Sequence, residues 1–362
     1  MRYADAKDLT QAAGLPAWLD RGIRDFYPGY PALVMATGII SNAFFFMGWF
    51  GFSQLLFAVN LIAFPVIFAA ILARLLLHTA ALWKDLLDPR RVFSFFTIVA
   101  AADVLGIQFD LRGYAGAAIA LWLFALVAWV FLLYFSFAVL SFLNTASDAN
   151  VVHGGWLIAI VGTESLVLLG VRIADHVTGY HTGITVLAHM LWGVGLALYA
   201  IFVTLFSYRI FFFKFSPEDL SPLLWVVMGA AAISANAGTS LILNGDVHMP
   251  FLATMKPFID GVTMMIWAWG TWWIPLLVCF GVWKHVICRV PLRYDPALWS
   301  LVFPLGMYSV ATYRFSLATQ FPFLQSVGRG FVWIAAAVWL ATMSAMLVSN
   351  LRTLKAPQPA AG

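Results

Sequence analysis

Two acidic residues stand inside apolar stretches of this sequence. Asp103 lies in FSFFTIVAAADVLG (Phe93–Gly106) and Glu164 in WLIAIVGTESLVLLG (Trp156–Gly170). An ionisable side chain at membrane depth is costly and usually functional. Burial there favours the neutral, protonated carboxyl group, which could couple proton movement to transport. The alternative is structural: a protonated carboxyl group bonded to a neighbouring helix, or, for Asp103, pairing with a cation. We favour the structural role for Asp103 and leave both open for Glu164.

Other residues that could do chemistry are scattered along the chain. His189 is expected to make a polar contact between helices and not to form a site. A membrane haem would need facing His pairs, which the sequence lacks. Cys279 and Cys288 lie about 13 Å apart along one predicted helix, too far for a disulfide. Arg314 and Arg329 flank the last predicted outer loop, where they either attract anions or extend to lipid headgroups. We expect no metal site and no cofactor.

The composition indicates a protein embedded in a lipid bilayer. Of its 362 residues, 63% are hydrophobic and only 10% are charged. A soluble domain of this size could not cover so much apolar surface. The net charge of +4 does not indicate nucleic-acid binding, because the basic residues lie between apolar runs and not on one surface.

The chain has ten segments of about the length and apolarity that a bilayer-spanning helix requires. They are Pro31–Phe50, Leu55–Leu77, Phe93–Phe109, Ala115–Leu143, Val152–Ile173, Gly183–Phe206, Pro222–Leu243, Phe258–Lys284, Ala297–Leu317 and Val327–Ser349. The predicted organisation is an N-terminal segment (1–30), one ten-helix membrane domain (31–350) and a C-terminal tail (351–362). For the N-terminal segment, an amphipathic helix at the membrane surface and a frayed tail are equally supported.

Basic residues separate the two sides of this predicted membrane domain. Five of the twenty Lys and Arg fall on one side, namely Arg112, Arg172, Lys256, Arg314 and Arg329, and the other fifteen fall on the side that carries both termini. We call these sides the outer face and the basic face. Cytoplasmic loops carry the excess of Lys and Arg, so we expect both termini in the cytoplasm and the protein in the inner (plasma) membrane.

The odd-numbered spans carry small and polar residues that the bulkier even-numbered spans lack. Such residues allow close helix packing whatever the function. Their recurrence in five alternating spans favours an inner ring of odd helices that leaves room for a pore. The predicted lining residues are Gly38, Ser41, Asn42, Asp103, Gly162, Thr163, Glu164, Ser165, Ser234, Asn236, Pro304, Gly306 and Ser309.

Four motifs resemble those of a known family. They are PALVMATGIIS (Pro31–Ser41), the two segments around Asp103 and Glu164, and LWSLVFPLGMYSVAT (Leu298–Thr312). Their order and span positions are similar to the tellurite-resistance/C4-dicarboxylate transporter family, which includes the plant slow anion channels. The resemblance implies an all-α integral membrane protein of five helical hairpins around a quasi-fivefold central pore, often a homotrimer. It also implies that Phe303 closes the pore as a gate.

The leading hypothesis is passage of a small anion, either an inorganic ion such as sulfite, chloride or nitrate or a C4-dicarboxylate, through this pore. A second hypothesis is a proton-coupled dicarboxylate carrier in which Glu164 holds the proton. A third is a membrane-embedded redox subunit, for which the scattered histidines offer little support. No nucleotide, nucleophile or zinc motif is present, so we expect neither an enzyme nor ATP-driven transport by this chain alone.

Overall fold

The computed structural model describes residues 15–143, 152–213, 216, 217, 219–244 and 249–355. Residues 1–14 of the predicted N-terminal segment and 356–362 of the predicted tail lie outside these ranges. The described residues form helices and turns without a strand, which confirms the all-α class. A short helix, Ala17–Arg24, occupies the segment for which an amphipathic helix or a frayed tail was expected. It is tied to the second long helix by a bond from Arg74 Nε to the Arg24 carbonyl oxygen (3.0 Å).

Ten long helices, one in each predicted span, are numbered here in chain order. They are α1 (Ala32–Phe46), α2 (Phe50–Leu77), α3 (Phe96–Asp110), α4 (Ala115–Phe142), α5 (Ile158–Ala174), α6 (His181–Phe212), α7 (Val226–Leu243), α8 (Pro250–Val282), α9 (Trp299–Thr319) and α10 (Pro322–Lys355). Helices α2, α6, α8 and α10 begin before their predicted spans, because helical structure continues past the apolar window, whereas α4 begins with its predicted span and ends one residue earlier. Helix α8, for example, begins eight residues before Phe258, with Pro250 at its first turn.

Eight helical segments in the described part of the chain are long and apolar enough to cross a membrane, so the chain is a multi-pass membrane protein. Helix α1, with 15 residues, is shorter than a typical span. Helix α9 is long enough but carries several hydroxyl groups and Arg314, which lower its apolarity. Both are nevertheless enclosed by protein: 13 of 15 residues in α1 and 17 of 21 in α9 are buried.

Burial divides the helices into two classes that agree with the expected inner and outer sets. In the most apolar 18-residue stretch of each segment containing α3, α5 or α7, between 83% and 94% of the residues are buried. In the corresponding stretches of the five even helices this share is 17% to 44%, and their exposed side chains are large and apolar. Such surfaces are stable only against lipid or another apolar surface. The even helices therefore separate the odd helices from the bilayer.

The odd helices pack against one another in a closed cycle. Helix α1 contacts α3, α3 contacts α5, α5 contacts α7, α7 contacts α9, and α9 returns to α1. Each odd helix also packs extensively on the even helix that follows it. Two of the connecting turns contain a glycine in the left-handed region, Gly48 (φ 84°) and Gly113 (φ 83°), which ends the preceding helix within a few residues.

Tryptophans of the outer helices bond the inner ones in a repeated pattern. The indole N–H of Trp129 in α4 donates to Thr163 Oγ1 in α5 (2.8 Å), and that of Trp339 in α10 donates to Thr37 Oγ1 in α1 (2.8 Å). Equivalent bonds join α6 to α7 and α8 to α9, from Trp192 to the Ser234 carbonyl oxygen and from Trp267 to Thr312 Oγ1 (both 3.0 Å). In lipid such bonds fix the rotation of each inner helix. They also turn several of its hydroxyl groups outward.

Candidate functional site

A narrow cavity at the outer-face ends of the odd helices is lined by residues from all five of them. Its lining comprises Ile39, Asn42 and Phe46 of α1, Val104 and Ile107 of α3, Leu168 and Arg172 of α5, Asn236 of α7, and Val310 and Arg314 of α9. Because the odd helices form a closed cycle, this cavity lies on their common axis. Its wall is apolar except for two amides and two guanidinium groups.

Arg314 is the main charged group of this cavity. Its side chain is 9% exposed. One terminal nitrogen, Nη1, donates to Asn236 Oδ1 (3.0 Å) and to Ser240 Oγ (2.7 Å). Among the described residues no carboxylate pairs with it. A buried cation without a counter-ion is expensive unless another anion takes that place. The cavity, with a volume of about 10 Å³, is too small to hold an anion in this structure, so Arg314 is a candidate anion site only when the helices move apart.

Arg172 lies on the other side of the same cavity, and its charge is balanced. Its Nε donates to Asp110 Oδ2 (2.6 Å), and His176 Nε2 lies 2.7 Å from the other oxygen of that carboxylate. The Phe46 ring lies near both arginines, with its centroid 5.9 Å from the Arg172 guanidinium carbon and 5.3 Å from that of Arg314. Cation–π contacts of this kind hold the two side chains at the cavity wall.

Phe303, the residue expected to act as a gate, is 2% exposed and lies deeper in the same helix. Val310 and Arg314 follow it at i+7 and i+11, spacings that place all three on one face of α9. The rise of 1.5 Å per residue puts Phe303 about 16 Å from Arg314 along the axis, towards the basic face. The neighbouring Pro304 faces α7 instead, since a Cβ on Gly229 would lie 2.7 Å from its Cγ.

Two of the residues predicted to line a pore, Asn42 and Asn236, line the cavity. The Asn42 amide makes only a long bond, 3.5 Å, to the Val104 carbonyl oxygen, and its Oδ1 has no partner among the described residues. Buried polar groups are normally satisfied, so this amide is available to a polar group that enters the cavity.

Several other predicted lining residues face neighbouring helices. Ser41 donates to the Ser53 carbonyl oxygen of α2 (2.7 Å), and Ser309 to the Gly328 carbonyl oxygen of α10 (2.8 Å). Thr163 accepts the Trp129 indole N–H of α4. Ser234 instead donates within its own helix, to the Ala230 carbonyl oxygen (2.9 Å).

The predicted glycines of the odd helices lie where two helices approach closely. A Cβ on Gly38 would meet Val104 and Asn60, one on Gly162 would meet Phe96, and one on Gly306 would meet Ile39. These positions serve helix packing, as the small residues of membrane proteins commonly do.

Neither buried acid of the odd helices lines the cavity. Asp103 Oδ2 accepts a hydrogen bond from Ser165 Oγ (2.7 Å), which joins α3 to α5. Glu164 lies against Gly195 of α6, and its carboxyl group is fully buried and makes no hydrogen bond within the part of the chain that the structure describes. His189 was expected to make a polar contact between helices, but the bond found lies within α6: its Nδ1 is 2.8 Å from the Thr185 carbonyl oxygen.

Most of the apolar cavity wall and the role of Arg172 were not predicted from the sequence. That residue entered only as a basic residue of the outer face. The usable signal was the helical spacing from Phe303 along α9, which leads to Val310 and Arg314. In α5, the i+4 spacing links Leu168 to Arg172 in the same way. Cys279 and Cys288, expected to be unpaired, are both free and exposed.

Several known proteins and one family model are similar to this chain. The family model described as voltage-dependent anion channel (SLAC1) matches residues 25–347. An uncharacterized membrane protein of Mycobacterium tuberculosis is 43% identical over 150 residues, which cover 41% of this chain and 75% of that protein. An uncharacterized transporter of Methanocaldococcus jannaschii is 26% identical over 89% of this chain and 94% of its own length.

A sulfite efflux pump of Arthroderma benhamiae is 22% identical over 343 residues, which cover 88% of this chain and 89% of the pump. The family match covers nearly all of the membrane region, including every helix that lines the axial cavity. This chain belongs to the voltage-dependent anion channel family of membrane transport proteins.

Proposed function

We propose that the chain passes small anions across the membrane along the axis of its odd helices, with Arg314 as the outer anion site and Phe303 as the gate. The observation that carries this proposal is the axial cavity, which all five odd helices line and in which the buried Arg314 lacks an acidic partner among the described residues. A closed cycle of helices around such a cavity is a suitable wall for a transmembrane path.

The proposed architecture has ten spans in five hairpins around a quasi-fivefold axis. The closed contacts of the odd helices and the packing of each on the following even helix support it. Helices α1 and α9 need not be strongly apolar to span the bilayer, because other helices enclose them. With ten spans both termini lie on the basic face, which we place in the cytoplasm on the positive-inside rule. The homotrimer and the plasma-membrane location stay predictions from the resemblance and the charge pattern.

Helix direction makes the two ends of this path electrically different. Parallel odd helices place their amino-terminal ends, each equivalent to about half a positive charge, at the basic face. Their carboxyl ends meet at the outer face and are negative by a similar amount. An anion at the outer end therefore needs a cation beside it. Arg314 supplies this charge, because Asp110 already balances Arg172.

Phe303 is proposed to close the path between the outer cavity and the basic face. Its ring is buried on the face of α9 that carries Val310 and Arg314. An aromatic ring on the axis of a narrow path excludes water and hydrated ions. Rotation of the ring about χ1, or movement of the helix segment at Pro304, would open the path.

The proposed substrates are small anions of the sulfite, chloride, nitrate or C4-dicarboxylate class. The axial cavity presents one uncompensated charge among neutral groups, which suits small anions without selecting one by shape. The likeness to a sulfite efflux pump supports including sulfite in this class. The family likewise supports a transport protein and not an enzyme.

A proton-coupled carrier is the second candidate, and the fully buried carboxyl group of Glu164 favours it. That group lies between α5 and α6 and away from the axial cavity. It would have to act through a change in helix packing, since it does not face the proposed path. Substitution Glu164→Gln should abolish the pH dependence of flux and preserve exchange if this candidate is correct.

The gate is tested by anion flux into proteoliposomes. Phe303→Ala should increase flux of chloride, nitrate and sulfite, because the ring no longer blocks the axis. Phe315→Ala is the matched control: Phe315 is equally buried on α9 but packs against Trp267 of α8 (ring centroids 5.8 Å apart). Equal flux in the two variants, both folded, would remove Phe303 from the gate.

A further inference from the structure

A second cavity, separate from the axial one, lies at the basic face beside the end of α8. Its volume is about 380 Å³, within the range of about 300–1,000 Å³ typical of ligand sites. It lies between the carboxyl end of α8, the segment that leads into α9, and the segment that leads into α7. Among its lining residues, Leu277 and Phe280 come from α8 and Leu301 from α9.

The lining combines an apolar interior with a basic rim. Lys284 and Arg293 supply the positive charges, and within the described residues neither makes an ion pair with a carboxylate. The Lys284 ammonium donates to the Leu220 carbonyl oxygen (2.7 Å), which holds it over the cavity. Asp295 is the acid of the lining, and its Oδ1 accepts the Ala297 N–H (2.7 Å) at the start of a short helix.

Local backbone structure fixes this rim in place. Helix α8 continues into a π-helical turn, Trp283–Ile287, and then reverses at Arg289, whose φ is 57°. The turn is closed by a bond from the Val290 N–H to the Lys284 carbonyl oxygen (3.1 Å), and His285 Nδ1 lies 2.8 Å from the Val290 carbonyl oxygen. Single π-helical turns in otherwise α-helical segments occur frequently at functional sites.

The surface around the mouth of this cavity is apolar and exposed. Val286 and Ile287 are each 67% exposed and Leu292 is 79% exposed, although all three follow a membrane-spanning helix at its basic end. Apolar side chains next to basic ones, at the end of a span, match the boundary between acyl chains and headgroups. Basic pockets between spans at this level bind anionic lipid headgroups.

We propose that this cavity binds an anionic phospholipid of the surrounding membrane. The headgroup phosphate would lie between Lys284 and Arg293, and part of one acyl chain would contact Leu277, Phe280 and Leu301. Since Leu301 lies two residues from Phe303, a bound lipid would also contact the segment of α9 that carries the proposed gate. Lipid binding itself does not depend on the transport proposal.

Lipid retention by the purified full-length chain tests this site. Protein in detergent is incubated with phosphatidylglycerol or with phosphatidylcholine of the same acyl chains, and bound lipid is counted by native mass spectrometry. Wild type should retain phosphatidylglycerol preferentially. Each basic residue near a membrane surface contributes roughly fivefold to the affinity for an anionic lipid, so Lys284→Gln with Arg293→Gln should weaken retention about 25-fold.

Matched controls separate the site from general effects of charge. Lys84→Gln removes an exposed positive charge on the same face, away from the cavity, and should retain the lipid preference. Gly281 lines the cavity, and a Cβ there would meet no atom within 4 Å, so Gly281→Phe fills the space without backbone strain and should abolish preferential retention. Gly261→Phe, at an equally open position of α8, should leave it unchanged.

Two results would overturn the proposal. One is equal phosphatidylglycerol retention by wild type and Gly281→Phe. The other is displacement of the lipid by inorganic phosphate at equal concentration, which would identify a phosphate site instead. Anion flux is measured in the same variants as a separate readout. If a variant lost lipid retention but kept normal flux, the assignment of the lipid site would stand, and only the proposed contact between the lipid and the gate would be wrong.

Discussion

Replacing Arg314 by glutamine should weaken anion binding much more than it changes the fold. An anion about 4 Å from the guanidinium group gains about 4 kcal/mol at an effective dielectric constant of about 20. After desolvation, a hydrogen bond to a charged group contributes about 1.5–3 kcal/mol. Since about 1.4 kcal/mol corresponds to tenfold, Arg314→Gln should raise the KM for anion flux by about 10- to 100-fold.

The thermal stability of Arg314→Gln should stay the same or increase. Arg314 is a buried cation with neutral partners, and glutamine can still donate to Asn236 or Ser240. Removing an uncompensated buried charge is neutral or stabilising. We therefore expect an unchanged or higher Tm together with the higher KM.

The assay is initial flux into proteoliposomes over a range of anion concentrations. Arg314→Lys keeps the charge and should retain part of the affinity. Arg329 is an exposed arginine of the outer face whose guanidinium carbon lies 5.8 Å from the centroid of the Tyr313 ring. Arg329→Gln removes the same charge outside the cavity and should change KM by less than about threefold. If Arg314→Gln and Arg329→Gln shifted KM equally, the reasoning from a buried, uncompensated cation would be refuted.

Two further predictions concern packing and pH. Gly229→Ala should lower the free energy of unfolding by about 1–3 kcal/mol, because the added Cβ would lie 2.7 Å from Pro304 Cγ. Gly261→Ala, where the added Cβ meets open space, should not lower it. Thermal unfolding in detergent measures the difference, and equal Tm values for the two variants would contradict the prediction. His153 precedes α5, with its Nε2 2.6 Å from the Arg90 carbonyl oxygen and its Nδ1 accepting the Gly155 N–H (2.9 Å). Burial lowers the pKa of this ring to about 4, below its ordinary value of 6.5, so the neutral ring stabilises the fold above pH 6.5 and this contribution is lost as pH falls to 4. His153→Gln should flatten that loss, and an unchanged pH profile of Tm would contradict the assignment.

The division between inner and outer helices could be predicted from the sequence. Small and polar residues recur in the odd spans and bulky apolar ones in the even spans, and burial follows the same division. Close packing in lipid selects small side chains, while exposure to acyl chains selects large apolar ones. Composition alone was therefore sufficient to assign each helix to its layer.

The side of each inner helix that faces the axis could not be predicted in this way. An inner helix is buried on every side, so it has no apolar stripe from which its rotation can be read. Polar type was a poor guide, since Ser41, Thr163 and Ser309 bond outer helices. The indole donors of the even spans were visible in the sequence, but their acceptors depend on the rotation of both helices.

Labelling of neighbouring residues in α9 tests the axial path most directly. In a Phe303→Ala protein with Cys279 and Cys288 replaced by alanine, single cysteines are placed at Val310, which lines the cavity, and at Ser309, which faces α10. A small anionic thiol reagent should react with the cysteine at 310 and block flux, added anion should slow that reaction, and the cysteine at 309 should stay unreacted. Equal reactivity at the two positions, or labelling at 310 without loss of flux, would contradict passage of anions along this axis.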